Sequence, residues 1–328
     1  MQKIVLSALA ALAMSAAPTF AGDLPVKAAK VAVAAPSPWD IAFGSAIVSD
    51  YVFRGVTQSN HKPSVSAYFE PRYNVNANLQ LYAGIAGESI SFPNRAAAEI
   101  DFYAGIRPTF GPIALDFGGW YYWYPGGQCF NTAAFGADCF ANSGGTGALP
   151  NGNVIKKDLS FWEVYFKPTW NVNDSLALGG NLFYTNSFLH SGAPGTYVSG
   201  TVKYTLPATM LPAGIGMYVS GEFGRQYLGT SDSFYGIPAT AQAGGINYAD
   251  YNTWNAGIGF TKSVFTLDLR YSGTNLSKGD CNAFTSDHTA TGTGAVTPIN
   301  PVGQSSNWCG NTFIAKLGVD LTASANLK

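Results

Sequence analysis

From Trp39 to Ser59 (WDIAFGSAIVSDYVFRGVTQS) apolar and polar residues alternate. Read with a period of two, Trp39, Ile41, Phe43, Ile47, Tyr51 and Phe53 fall on one side, and Asp40, Gly44, Asp50 and Arg54 on the other. That alternation predicts a β-strand with one face on an apolar medium and one on a polar medium. The run is longer than the ~5–6 residues usual in soluble proteins. It suits the ~9–11 residues that a tilted strand needs to cross a bilayer, where aromatic girdles mark the two interfaces. Trp39 at one end and Tyr51 and Phe53 at the other read as those girdles, so the first strand is expected to run from Trp39 to about Arg54.

The pattern recurs. Further strands are predicted at about 64–73, 79–88, 99–107, 113–124, 159–170, 175–185, 197–206, 215–227, 253–261, 264–272 and 312–321. Connections after even-numbered strands are short and those after odd-numbered strands are long. Twelve strands with this rhythm predict an all-β fold, a transmembrane antiparallel up-and-down β-barrel with short periplasmic turns and long extracellular loops. Closure follows from the solvent: in lipid every unpaired backbone group costs several kcal/mol, so a sheet cannot keep an edge. A secreted β-sandwich would not need an apolar face on all twelve strands.

Composition sharpens the class. Charged residues make up 11% and mean hydropathy is +0.07, against roughly 25% charged in soluble proteins. The chain is too uncharged for a soluble surface and too polar for a helical membrane protein. A net charge of −1 speaks against a nucleic-acid partner. Residues 1–21, with Lys3, an apolar run and small residues before a cut after Ala21, read as a signal peptide. Residues 22–38 read as a flexible periplasmic segment and 39–328 as the barrel. No later stretch approaches the ~18 apolar residues of a spanning helix, so the expected location is the outer membrane of a Gram-negative bacterium, in contact with its lipid. Cys129, Cys139, Cys281 and Cys309 lack a metal or redox spacing. Of the three connectivities, the local one is expected: Cys129–Cys139 and Cys281–Cys309.

Parity along the strands sends Asp50, Arg54, Glu70, Arg72, Glu99, Asp101, Arg107, Glu163, Lys167, Asp268 and Arg270 inward, with Glu88, Asp116, Lys203, Glu222, Lys316 and Asp320. Mixed charges on facing walls suit a pore that selects small hydrophilic solutes by a transverse field. They equally suit a lumen filled by salt bridges, and twelve strands lie between filled and open barrels. Asp50 and Arg54, four apart near the outer mouth, read either as a constriction pair or as an internal ion pair. In Trp120–Tyr124 (WYYWY), Tyr121 and Trp123 point to lipid. Trp120, Tyr122 and Tyr124 point inward, where they could stack on a flat ligand.

Enzymatic chemistry finds little support. His61, His190 and His288 all fall in predicted outer loops, and Ser187 near His190 is not by itself a triad. No metal-ligand spacing, phosphate loop or GxSxG occurs, so no enzyme, metal or cofactor is expected. The expected function is passive diffusion of small hydrophilic solutes through the barrel. The alternatives are a plugged, non-conducting barrel acting as a surface or adhesion protein through stapled loops and, less favoured, an outer-membrane lipid hydrolase. No strand face separates subunit contacts from lipid contacts, so a homo-oligomer stays open.

Ser49–Ser59 (SDYVFRGVTQS), followed by Pro63, Tyr68 and Leu81–Gly84 (LYAG), resembles the TorF-like family of proteobacterial porins, an uncharacterised group of outer-membrane barrels. Glu99–Gly105, Asp116 and the aromatic end of the fifth strand resemble it too. The resemblance runs from about Trp39 onward and is strongest in the first half. It implies a barrel and a porin-like role without naming a solute. The chain departs from common outer-membrane barrels in ending Ala325-Asn326-Leu327-Lys328 rather than on an aromatic residue.

Overall fold

The computed structural model describes residues 38–131, 147–237 and 240–327. The expected signal peptide 1–21, all but Pro38 of the expected lead-in 22–38, and Cys139 lie outside the described residues.

In chain order the strands are β1 (Trp39–Val48), β2 (Val52–Phe53), β3 (Val56–Thr57), β4 (Ser64–Asn76), β5 (Leu79–Glu88), β6 (Glu99–Phe110), β7 (Ile113–Trp123), β8 (Phe161–Asn171), β9 (Leu176–Thr185), β10 (Gly195–Thr205), β11 (Gly216–Leu228), β12 (Tyr251–Lys262), β13 (Phe265–Thr274) and β14 (Thr312–Thr322). All but β2 and β3 form one closed antiparallel barrel, each strand beside its neighbours in sequence. It closes where β1 pairs with β14, from Ala42 opposite Thr322 to Val48 opposite Lys316. The twelve-stranded up-and-down barrel expected from the alternation is the fold. No helix among the described residues is long and apolar enough to cross a membrane.

Side-chain parity behaves as the alternation demands. On β6, Phe102 and Ile106 are over 40% exposed, while Asp101 and Arg107 between and beside them are at most 7% exposed. The outward set makes an apolar belt edged with aromatics: Trp39, Tyr73, Phe110, Trp170 and Phe265 at the short-turn end, and Tyr121, Trp123, Trp162, Tyr184 and Tyr227 toward the long loops. Such a belt is unfavourable in water and matched to lipid. At the short-turn end the chain closes with helix α2 (Ala323–Asn326), where Ser324 N and Oγ both donate to the Asp40 carboxylate at 2.9 Å. The last strand pairs with β1 from Lys316 to Thr322 and with β13 from Thr312 to Val319.

Inside, tyrosines lie over glycines of the neighbouring strand. A Cβ at Gly84 would fall within the Tyr103 ring, and one at Gly259 within the Tyr218 ring. Glycine at these inward sites makes room for bulky rings of the adjacent strand to lie along the wall.

One expectation needs correction. The first strand does not reach Arg54. It stops at Val48, and the chain turns into the mouth as the β2–β3 hairpin. Tyr51 is 3% exposed and packs inside the barrel rather than standing in a girdle.

Candidate functional site

The site is built around this inserted first loop. Asp50 organises it: its carboxylate accepts from Thr57 Oγ1 at 2.5 Å and Ser59 Oγ at 3.2 Å, and pairs with His61 Nδ1 at 2.7 Å. These bonds draw residues seven to eleven positions downstream back onto Asp50 and fold the loop on itself. The tip is Arg54-Gly55, with φ of 48° and 78°. Two consecutive positive φ values make the turn whose twist matches a tight hairpin. Gly55 also has a steric reason, since a Cβ there would sit 2.8 Å from Thr274 Cβ.

This turn throws the Arg54 guanidinium across the lumen. Nη1 and Nη2 donate to the two Glu163 oxygens on β8, each at 2.8 Å, and Nη1 reaches Gln226 Oε1 on β11 at 3.1 Å. The rings of Phe53, Phe183 and Tyr197 lie 4.5, 4.8 and 4.6 Å from its carbon. Arg54 is 7% exposed and Glu163 1%. Planar bidentate geometry with ring stacking is what holds a desolvated guanidinium. The expected partnership of Asp50 with Arg54 is therefore not formed: the turn separates them, and each takes a different counter-charge.

The last long loop clamps the first. Thr57 N donates to Trp308 O at 2.9 Å, Trp308 Nε1 to Asn60 Oδ1 at 3.0 Å, and His61 Nε2 lies 2.9 Å from Asn307 O. The Cys281–Cys309 disulfide staples this loop as expected, tying helix α1 (Lys278–Thr285) to the strand-like contact of Cys309 with Val56. The second expected bridge reaches Cys139, outside the described residues. The hydrogen bond from Asp50 holds the His61 imidazole above its usual pKa, against the opposing effect of burial.

The remaining inward charges form wall networks between nearby strands. Arg107 (β6) binds Glu70 (β4) at 2.8 Å and Asp116 (β7) at 3.3 Å, Arg72 binds Glu70 at 2.6 Å, and Lys167 (β8) lies 3.7 Å from Asp116. Tyr82 adds its hydroxyl to Asp116 at 2.6 Å and meets the Tyr165 hydroxyl. On another part of the wall Arg270 binds Asp268 at 3.0 Å and Ser220 at 2.9 Å. Glu99 accepts from Tyr51 at 2.6 Å and Tyr124 at 2.9 Å, with Asp101 beside it on β6. Of the eleven inward charges singled out from the sequence, all except Arg72 are at most 9% exposed.

Above the hairpin the long loops form an aromatic cleft. Phe53, Phe92, Tyr124, Phe188, Tyr248 and Trp308 line it, one from each long connection, together with Phe284, Tyr235 and Tyr251. Of the three inward aromatics predicted, only Tyr124 faces it. Trp120 is stacked on Tyr103 at 4.2 Å and Tyr122 on Phe161 at 4.5 Å, so their faces are already covered. Phe92, Phe188, Tyr248 and Trp308 escaped the sequence reading because they stand in the long connections, where no period marks their direction. A second, deeper chamber lies against β1, β4, β5 and β14, bordered by Tyr68, Glu88, Lys316 and Asp320.

Neither His61 nor His190 is joined to both a carboxylate and a serine hydroxyl among the described residues. His61 Nδ1 faces Asp50, but its Nε2 is engaged by Asn307 O rather than by a serine, and Ser59 Oγ bonds Asp50 itself. His190 lies 3.4 Å from Asp158, while Ser187 Oγ accepts from Gly192 N.

No curated protein matches the chain. Among solved structures it is similar to LpxR from Salmonella typhimurium (8% identity, 85% of this chain and 99% of that one, TM-score 0.40). It is also similar to a Pseudomonas aeruginosa FadL homologue (10%, 87% and 89%, 0.40) and to OmpT, an outer membrane protein of Vibrio cholerae (10%, 86% and 98%, 0.32). The family model described as "Bacterial protein of unknown function (Gcw_chp)" matches residues 32–305, most of the chain, and the protein belongs to that family.

Proposed function

We propose that this membrane barrel sits in the outer membrane as a gated diffusion channel for small solutes, closed at rest by its first extracellular loop. The observation that carries the reading is the Arg54–Glu163 lock. A loop residue crosses the mouth and is fixed by two 2.8 Å bonds to the opposite wall, with both groups buried. Side chains lining a wide aqueous pore stay wet, whereas these are desolvated. The wall beneath is polar and of mixed charge, as a path for hydrophilic solutes requires. The aromatic cleft gives incoming solutes with a flat or apolar face a first place to rest. The segment that resembles the TorF-like porins, Ser49–Ser59, is the one that forms the gate, which supports a porin-like role. No chemistry on the solute, and so no enzymatic activity, is part of this reading.

The test is single-channel conductance in a planar bilayer, comparing the natural chain with a variant whose residues 51–58 are replaced by a Gly-Ser linker. Rare openings in the first and stable steps in the second are expected. Permanent large steps in the natural protein would overturn the gate. Silence in both, from protein shown to be folded, would favour a second reading: a non-conducting barrel that acts through its outer surface. The disulfide-stapled last loop, clamped onto the first, is the observation in favour of that alternative.

A further inference from the structure

Glu88 ends β5 and Glu99 begins β6, and the two stand directly opposite in the ladder. Asp101 is two residues further along the same inward face. Like charges placed opposite one another in a sheet repel, yet here three carboxylates converge. One oxygen from each lies within 4.8 Å of the others. Glu88, Glu99 and Asp101 are 3, 2 and 0% exposed, so water does not dissipate the repulsion.

A second observation separates this cluster from an ordinary acidic patch. Both oxygens of Glu88 and both of Asp101 are buried without a hydrogen-bond partner among the described residues. Glu99, in contrast, is oriented: Tyr51 and Tyr124 each donate to one of its oxygens. The arrangement is one fixed carboxylate flanked by two whose acceptor capacity is unspent. Every other inward carboxylate discussed above has an arginine, lysine, histidine or hydroxyl partner.

From this geometry we infer that Glu88, Glu99 and Asp101 form a binding site for a hard divalent cation, with calcium favoured over magnesium. Oxygen-only donors select hard ions over zinc or copper. Magnesium demands near-ideal octahedral geometry and usually keeps several waters, whereas calcium accepts irregular sets of carboxylates, so a buried group of three carboxylates favours calcium. Glu88 also borders the deeper chamber, which supplies a route from the lumen. Lys316 borders that chamber as well. Its single positive charge offsets only part of the three negative charges, so a divalent ion brings the group close to neutrality. Because Tyr51 belongs to the inserted first loop, the ion would also brace that loop through Glu99. The site itself does not depend on whether the barrel conducts.

The test uses the refolded full chain, stripped with a chelator and titrated with calcium chloride by calorimetry. Uptake of one ion per barrel and a rise in the thermal midpoint are expected, with a smaller response to magnesium chloride. Removing one of three carboxylate ligands in Asp101→Asn should weaken calcium binding by about tenfold or more. Glu222→Gln, elsewhere on the wall, should leave it unchanged. Should Asp101→Asn not fold, terbium chloride on the natural protein gives an independent reading, since Tyr51, Tyr124 and Trp120 are placed to sensitise its luminescence. That signal should be displaced by calcium. Absence of calcium uptake at millimolar concentration, terbium emission that calcium does not displace, or equal binding by Asp101→Asn would each overturn the assignment.

Discussion

Arg54→Ala is the perturbation that tests the lock most directly. It deletes two 2.8 Å bonds to Glu163 and a third, at 3.1 Å, to Gln226, and removes a cation stacked among Phe53, Phe183 and Tyr197. Glu163, 1% exposed in the natural protein, is left with the Tyr122 hydroxyl at 3.1 Å. Breaking a buried pair while leaving one charge behind costs about 3–5 kcal/mol. If release of the loop is the opening step, that cost falls on the closed state, and at about 1.4 kcal/mol per decade the open fraction rises by about two to three and a half orders of magnitude. The double variant Arg54→Ala/Glu163→Gln removes the orphaned charge and should recover part of the lost thermal stability while remaining open. The assays are open probability in a planar bilayer and protease nicking within the first loop, each on the natural protein and both variants. Unchanged nicking and an open probability within twofold of the natural protein for Arg54→Ala would refute the lock.

Three further outcomes follow from the same contacts. His61 has a raised pKa through its bond to Asp50, so its contribution to loop closure is fully present below its ordinary value of about 6.5 and is lost as pH climbs through the raised one. Open probability should therefore increase from pH 6 toward pH 8.5, and a flat profile identical to that of His61→Gln would rule this out. Removing the Cys281–Cys309 staple, which spans 28 residues, should cost the last loop about 3–4 kcal/mol in chain entropy. The first loop, which that loop clamps, should then be cut faster by protease, and an unaltered cleavage rate would show the clamp to be immaterial. Gly84→Val forces a side chain into the Tyr103 ring and should destabilise the barrel by about 1–3 kcal/mol, read as a lower midpoint of heat modifiability.

What the sequence made legible follows from where period two operates. On β4 to β14 the bilayer imposes an apolar face on alternate residues, so strand count, facing and loop rhythm could be read directly, as Phe102, Ile106, Asp101 and Arg107 on β6 illustrate. The first loop defeated the same reading because its residues keep alternating after the strand has ended. Tyr51 and Phe53 are apolar for the aromatic mouth, and Asp50 and Arg54 polar for two separate buried partners, so the sequence continues a pattern that the backbone has left. Arg54-Gly55 was the available signal, a dipeptide able to turn with two positive φ values, but an arginine there is a weak turn marker beside Asn-Gly or Asp-Gly. The cleft was illegible for a related reason. Phe92, Phe188, Tyr248 and Trp308 come from four different connections, and only closure of the barrel brings them to one place.

The distribution of partners also bears on how such a barrel could open. Glu70, Arg107, Asp116 and Lys167 are bonded along one stretch of wall from β4 to β8, and Asp268 and Arg270 along another that reaches Ser220 on β11. These bonds follow the curve of the sheet and survive any movement that leaves the strands in register. Arg54 is different: it is carried by a loop and joins β8 to β11, so its bonds must break if the loop leaves and need not break otherwise. Opening by withdrawal of the hairpin therefore disturbs one lock, the contacts to Trp308 and Asn307, and the Tyr51–Glu99 bond, while the barrel wall keeps its network. Opening by expansion of the barrel would instead have to break the hydrogen-bond ladder itself, which in lipid has no alternative partner. The physical argument thus favours a moving loop in a fixed cylinder. Cross-linking tests it: a bis-maleimide bridge, which spans more than a disulfide can, between cysteines placed at Arg54 and Gln226 should abolish conductance, whereas conductance that persists with the cross-link intact would place the gate elsewhere.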